Sequence, residues 1–307
     1  MMSTHKEPRA HDTVYFEPGW SAEIVNGRTG PKANPRLAAI MKVIVRHLHA
    51  AVKEARITPD EWQVAIEFLT QTGHTCTDWR QEFILLSDVL GVSMLVDAIN
   101  HQRPPGSTQN TVLGPFHVAG APKLEMGANI CLDGKGEPLC VRGRVLDTDG
   151  RPVSGATLDV WQANQDGFYD VQQPDIQPQF NLRGVFQTNE SGEYWFRSVK
   201  PRWYPIPDDG PVGTLLHALD RHPNRAAHLH FIVSAPGYDT LVTHIFTPDC
   251  PYLSKDAVFG VKHSLIAKFD RVDDAPRASA LGLVNPFWMV QWDFVLARKS
   301  QVVRVTS

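Results

Sequence analysis

The period of the apolar residues changes partway along the chain, and that change limits the folds open to it more than any other feature. Up to Gly106 they recur every three or four positions; after Pro122 they fall in short runs broken by Gly, Asp and Pro. A 3.6-residue repeat makes an amphipathic helix, whereas short alternating runs make strands. Leu37, Ile40, Met41, Ile44, Val45, Leu48, Ala51 and Val52 mark a first helix. Asn34 can cap it, and Pro35 stands where a missing N–H costs nothing. Consecutive apolar residues widen its stripe, which predicts burial on several sides. A second helix opens at Thr58-Pro59-Asp60-Glu61, a capping box, with Trp62, Ala65, Ile66 and Leu69 on its apolar face and Gly73 at its end. A third is expected from about Asp78 to Asn100, stopped by His101-Gln102-Arg103-Pro104-Pro105-Gly106.

Beyond Pro122, residues Leu139–Leu146 lead into Asp147-Thr148-Asp149-Gly150, whose Asp-Gly step signals a turn. Thr157–Ala163, Gly192–Arg197, His228–Val233, Thr240–Phe246 and a closing Trp288–Leu296 read as further strands. Many short strands at this spacing favour a sandwich or barrel over a parallel sheet. The expected fold class is therefore α+β, with a helical region over residues 1–107 followed by an all-β sandwich over 108–307.

Composition narrows the function. With 30 Lys and Arg against 33 Asp and Glu, the net charge of −3 argues against nucleic acid as a partner. No apolar run approaches the roughly 20 residues that span a bilayer, so a membrane protein is not expected. The stretch Met1–Pro8 lacks the apolar core of a signal peptide. Four scattered cysteines, Cys76, Cys131, Cys140 and Cys250, form no C-x-x-C pair. They suggest neither a disulfide framework nor a thiolate zinc site, and the expected compartment is the cytoplasm. Any metal would be held by nitrogen or oxygen, and 13 histidines keep that open.

His228-Leu229-His230 is the most informative triplet. On a strand, residues i and i+2 share a face, so both imidazoles project together, half of a metal site. The plainer alternative is two hydrogen-bonded histidines on a half-exposed strand. Arg225, three residues earlier, keeps its proton and could stabilise an anionic substrate; otherwise it is a surface residue paired with a carboxylate such as Asp220. Tyr169 follows a strand and a tight Asp166-Gly167 turn, and Tyr204 lies in the stiff, proline-dense loop Trp203–Pro211. Either could instead be an amphipathic packing residue.

Taken together, these segments resemble a known family, the intradiol ring-cleaving dioxygenases of catechols. The resemblance is carried by Thr111-Val112-Leu113-Gly114-Pro115-Phe116, Gly143-Arg144-Val145, Val160-Trp161-Gln162-Ala163-Asn164 through Tyr169, Tyr204-Pro205-Ile206-Pro207-Asp208-Asp209-Gly210-Pro211, and Asn224-Arg225-Ala226-Ala227-His228-Leu229-His230-Phe231. It covers nearly the whole chain. It implies one Fe(III) per subunit, held by Tyr169, Tyr204, His228 and His230, since phenolates are hard anionic donors. Zinc protein sites mostly use Cys, His, Asp or Glu instead. The implied substrate is a small aromatic diol or triol, cleaved with O2 between its adjacent hydroxylated carbons to a cis,cis-muconate. Tyr204 and Arg225 are the implied catalytic residues, Tyr204 receiving a substrate proton and Arg225 stabilising charge on the reacting ring.

The implied ring pocket comprises Leu85, Asp88, Val112, Leu113, Gly114, Pro115, Phe116, Ile206, Pro207, Arg225, His244 and Val258. Leu85 and Asp88 share a helix face. A carboxylate among apolar groups needs a donor, and a third ring hydroxyl would supply one. Asp88 could equally be a surface carboxylate or the partner of Arg80. The run Arg80–Asp97 looks most like the branch that cleaves hydroxyquinol (benzene-1,2,4-triol) to 3-hydroxy-cis,cis-muconate, the enol of maleylacetate; catechol or chlorocatechol cleavage is the alternative. His244 stands where catechol-specific members carry glutamine; it is either an orienting group near the metal or a core histidine with a satisfied hydrogen bond. The resemblance also implies a homodimer through the N-terminal helices, around a bound amphipathic lipid. Two other classes stay open: a non-catalytic transthyretin-like binding module and a zinc hydrolase using the histidine pair.

Overall fold

The structure, a computed structural model, describes residues 15–77 and 80–299. The chain forms two compact units, one up to Gln71 and one from Thr72 onward. A 3-10 turn at Pro18–Trp20 enters α1 (Ser21–Gly27), followed by α2 (Pro35–Ala55) and α3 (Pro59–Thr75). Local chemistry sets both long helix starts. Asn34 Oδ1 accepts from the Leu37 N–H at 3.0 Å. Thr58 N–H donates to Glu61 Oε2 at 2.8 Å, and the Glu61 N–H to Thr58 Oγ1 at 3.3 Å. Gly73 does not end α3, which runs on to Thr75; one glycine costs a helix only about 1 kcal/mol. Within one chain α2 has no buried residue, and Leu37 and Leu48 are more than half exposed, so the burial its wide apolar stripe predicts is not provided by this copy.

The single helix expected up to Asn100 is two, α4 (Glu82–Val89) and α5 (Val92–Asn100). Gly91 breaks it with φ +73°, a left-handed conformation that glycine adopts at no steric cost. Asp78, the expected start, lies outside the described residues.

The remainder contains β1 (Pro138–Asp147), β2 (Thr157–Trp161), β3 (Arg183–Gln187), β4 (Glu193–Val199), β5 (Tyr204–Pro205), α6 (Pro211–Ala218), β6 (Asn224–Arg225), β7 (His228–Ser234), β8 (Leu241–Phe246), β9 (Phe269–Val272), α7 (Ala275–Leu281), β10 (Phe287–Gln291) and β11 (Phe294–Leu296). One sheet has the order β11-β1-β10-β9, with β4 also paired to β1; a second has the order β3-β2-β7-β8. Two features depart from expectation. The closing strand is split in two at Trp292 and Asp293, where the Asp293 carboxylate takes the Arg144 N–H at 2.8 Å and the Trp292 carbonyl accepts from the Tyr194 hydroxyl at 2.7 Å. Both halves then pair with β1 in parallel, within an otherwise antiparallel arrangement. The β region also carries α6 and α7, which the strand pattern does not announce.

Leu139, Val141 and Val145 of β1, Leu158 and Val160 of β2, Phe196 of β4 and Leu229, Phe231 and Val233 of β7 fill one core with Val290 and Phe294. Alternation then fixes the rest of β7. With 229, 231 and 233 in the core, His228 and His230 face the other way. Among the described residues, no helix is long and apolar enough to cross a membrane.

Candidate metal centre

The outward face of β7 is not open to solvent. His228 and His230 are 2% and 1% exposed, so the half-exposed pair of the plainer reading is not what the chain builds. His228 Nδ1 donates to the Ala226 carbonyl at 2.5 Å, which leaves its Nε2 lone pair free. That Nε2 lies 3.0 Å from His230 Nε2. Trp161, the register partner of His230 on β2, stacks on its ring at 4.6 Å.

Tyr169 arrives from the loop after β2. Asn164 Oδ1 accepts the Asp166 and Phe168 N–H groups at 3.0 Å each, closing a tight turn. Gly167 allows it: φ is +87°, and a Cβ there would stand 2.7 Å from the Tyr204 Cβ. Tyr169 N–H is held by Gln172 Oε1 at 2.9 Å, and Phe116 stacks on its ring at 4.5 Å. Tyr204 comes from the β5–β6 pair, in which it stands opposite Arg225. The two phenol oxygens are 2.8 Å apart, and Tyr169 Oη is 2.8 Å from His230 Nε2. Two phenols and two imidazoles, separated by up to 61 residues, thus turn their polar atoms to one buried point.

Electrostatics characterise the set. Burial, then the neighbouring Tyr204, pushes the Tyr169 hydroxyl well above its ordinary pKa. Burial also raises Tyr204, against the pull of Arg225. Burial, then the Arg225 charge, lowers His228 to about 3, and burial holds His230 and His244 well below the usual histidine range. Near neutrality the imidazoles are therefore uncharged donors. Two phenols that can each surrender a proton match a hard, highly charged cation better than zinc.

His244, opposite His230 on β8, is wholly buried, stacks on His228 at 4.5 Å and meets His230 edge-on at 4.1 Å. Val112's backbone is near, but neither ring nitrogen finds a partner at hydrogen-bonding geometry. A core histidine with a satisfied hydrogen bond is thus not observed. The nearest ligand atoms of His228, His230 and His244 lie within 4.8 Å of one another.

Of the expected pocket residues, Leu85, Val112, Ile206 and Val258 pack in one cluster with Val89, Val212 and Leu216. Gly114 lies against the His230 ring and Phe116 against Tyr169. Leu113 and Pro115 are exposed and Pro207 is half-buried. Asp88 does not pair with Arg80, which binds Glu82 and Asp209 instead. Burial raises the Asp88 carboxyl, against the Ser93 hydroxyl and the Arg225 charge. Arg225 does not pair with Asp220; its Nε donates to Asp256 at 3.1 Å.

Two supports have no local sequence signal. Asp256 is one. The other is the buried pair of Asp170 and Arg183, with Nε to Oδ1 at 2.7 Å, which flanks Tyr169; Arg183 also donates to the Phe116 carbonyl at 2.7 Å. Only the adjacency of Asp170 to Tyr169 hints at it.

Comparison with known proteins agrees over both regions. A family model described as catechol dioxygenase N terminus matches residues 34–108, and one described as dioxygenase matches residues 112–298. The chain is 65% identical over 288 residues to a hydroxyquinol 1,2-dioxygenase of Rhizobium sp. (strain MTP-10005), covering 94% of this chain and 98% of that protein. It is 52% identical over 250 residues to a 6-chlorohydroxyquinol 1,2-dioxygenase of Cupriavidus pinatubonensis, covering 81% and 90%. The solved hydroxyquinol 1,2-dioxygenase from Pseudomonas putida DLL-E4 superposes with a TM-score of 0.87 at 47% identity, over 92% of this chain and 99% of that one.

Proposed function

The chain belongs to the intradiol ring-cleaving dioxygenase family, and from that premise we propose that it opens the ring of hydroxyquinol with O2 between its adjacent hydroxylated carbons, yielding 3-hydroxy-cis,cis-muconate. The observation that carries this is the convergence of Tyr169, Tyr204, His228 and His230 on one buried point. These four hold one ferric iron per subunit. When bound, the iron would supply Lewis acidity that lowers the cost of deprotonating the diol. Tyr204 Oη takes a proton from the diol. Arg225, fixed opposite Tyr204, stabilises negative charge that builds on the ring. His228 keeps its donor tautomer through the Ala226 carbonyl. Leu85, Val112, Ile206 and Val258 exclude water from one side of the ring; Gly114, Pro115 and Phe116 with Leu113, Pro207 and His244 complete its surroundings.

Asp88 accepts the third hydroxyl. Removing a buried hydrogen-bond partner costs about 1–3 kcal/mol, so Asp88→Ala is expected to lower kcat/KM for hydroxyquinol by about 5- to 150-fold while changing that for catechol far less. Turnover of hydroxyquinol, catechol and 4-chlorocatechol by the native protein, measured side by side, tests the same assignment. Catechol as the best of the three would overturn it. Iron analysis and a red-brown colour from phenolate-to-iron charge transfer test the metal; a colourless, oxygen-independent enzyme would favour the zinc hydrolase.

Residues 1–107 serve pairing and line the pocket, and residues 108–307 hold the iron. Two copies pair through the exposed apolar faces of α2 and α3, which include Leu37, Leu48, Trp62 and Leu69, around an amphipathic lipid. Light scattering after size exclusion is expected to give twice the 34.3 kDa of the chain; monomer alone at micromolar concentration would refute pairing. The four cysteines are all unpaired, which suits a reducing cytoplasm.

A further inference from the structure

Asp256 stands 31 residues beyond Arg225 in sequence, yet its carboxylate lies against it, with a side chain only 2% exposed. Its Oδ1 accepts from Arg225 Nε at 3.1 Å and from the Ala226 N–H at 3.0 Å. Its Oδ2 accepts from the Gly260 N–H at 2.7 Å. The carbonyl of the same residue, Ala226, accepts from His228 Nδ1. One carboxylate therefore reaches the guanidinium opposite Tyr204, the residue whose carbonyl fixes the His228 tautomer, and the loop that carries Val258. A neutral acceptor could not also balance the buried guanidinium charge. Arg225 Nη2, on the same edge of the guanidinium as Nε, is buried and carries no hydrogen bond.

Gly260 makes the arrangement close-fitting. A Cβ there would come to 2.9 Å from Arg225 Nη2 and 3.1 Å from Asp256 Oδ2. The Gly260 carbonyl is itself fixed by the buried Thr111 Oγ1, which donates to it at 2.7 Å.

We propose that Asp256 is a positioning residue for ring cleavage: it holds Arg225 through Nε, so that the guanidinium stays fixed opposite Tyr204 and toward the reacting ring, and it steadies residue Ala226, whose carbonyl orients His228. This rests on the reading of Arg225 as the cation facing the substrate. The role requires that Asp256 act on the rate of the reaction through Arg225, and not merely on folding.

The test uses the iron-loaded protein. Asp256→Asn keeps the shape and one oxygen but loses the charge and sets an amide N–H against the Gly260 N–H. Groups that orient a metal ligand from behind are worth about 10- to 100-fold; kcat on hydroxyquinol is expected to fall by that factor with its KM within about threefold, and the charge-transfer maximum to move. In an Arg225→Lys background the same substitution should cost less than about threefold, because partners in one network are not additive. Unchanged kcat and spectrum, or an equal loss in both backgrounds, would overturn the proposal. Should Asp256→Asn not fold, Gly260→Ala, which crowds Arg225 Nη2 and Asp256 Oδ2 but keeps the carboxylate's charge, must reproduce the loss of kcat at unchanged KM; an unaffected kcat there overturns it as well. Failure of the underlying reading has a different signature, since the native protein would then lack iron, colour or hydroxyquinol turnover altogether.

Discussion

Tyr169→Phe is expected to leave a folded protein that has lost most of its iron, its red-brown colour and at least about a thousandfold in turnover, since Lewis-acid assistance is worth several kcal/mol and each ~1.4 kcal/mol is tenfold. The substitution removes one oxygen and little else. The ring keeps its stack on Phe116, and the backbone N–H keeps Gln172 Oε1. What is lost is the oxygen lying 2.8 Å from both Tyr204 Oη and His230 Nε2. Leaving those buried groups short of a partner costs about 1–3 kcal/mol of stability, which a domain of this size survives. Circular dichroism should therefore be unchanged, with iron content, visible absorbance and hydroxyquinol turnover all reduced. Native colour and native turnover in the Tyr169→Phe protein would refute the ligand assignment.

The second large effect concerns stability. Arg183→Leu strands the Asp170 carboxylate, and an uncompensated buried charge costs about 3–5 kcal/mol. At roughly 2–4 °C per kcal/mol for a domain of this size, Tm should fall by about 6–20 °C. The iron site should loosen as well, because Arg183 also holds the Phe116 carbonyl and Asp170 accepts the Phe180 N–H at 2.9 Å beside Tyr169. The sign of the double variant is the sharper check. Replacing Asp170 and Arg183 together by Leu removes both charges, and much of the lost Tm should return. A double variant less stable than Arg183→Leu by a further full increment would mean that shape, not charge, holds the pair together.

Legibility in the sequence followed the range of the interactions. The starts of α2 and α3 could be read because Asn34 and the Thr58/Glu61 pair cap their own helices, three residues away. The common face of His228 and His230 could be read because a strand alternates. Their convergence with Tyr169 and Tyr204 spans 35 to 61 residues, and only resemblance reached it. Helix α6 went unread for a similar reason: Gly210 gives it no side-chain cap, and the Val212 N–H is met by the buried Glu82 carboxylate, 130 residues earlier. The break in the last strand likewise depends on distant partners, the Arg144 N–H and the Tyr194 hydroxyl. Asp256 and the Asp170–Arg183 pair belong to the same group, being supports defined by tertiary contact rather than by a neighbour in sequence.

The alternation along β7 has a consequence for folding fidelity. A slip of one residue against β2 and β8 would exchange its two faces. Leu229 and Phe231 would then point at the tyrosines, and two imidazoles would enter the hydrocarbon interior of the sandwich without partners. No misregistered sheet could assemble four donors around one ion. If the four donors hold iron as proposed, metal uptake proofreads the strand pairing, and full iron loading of a preparation would report the register of its second sheet.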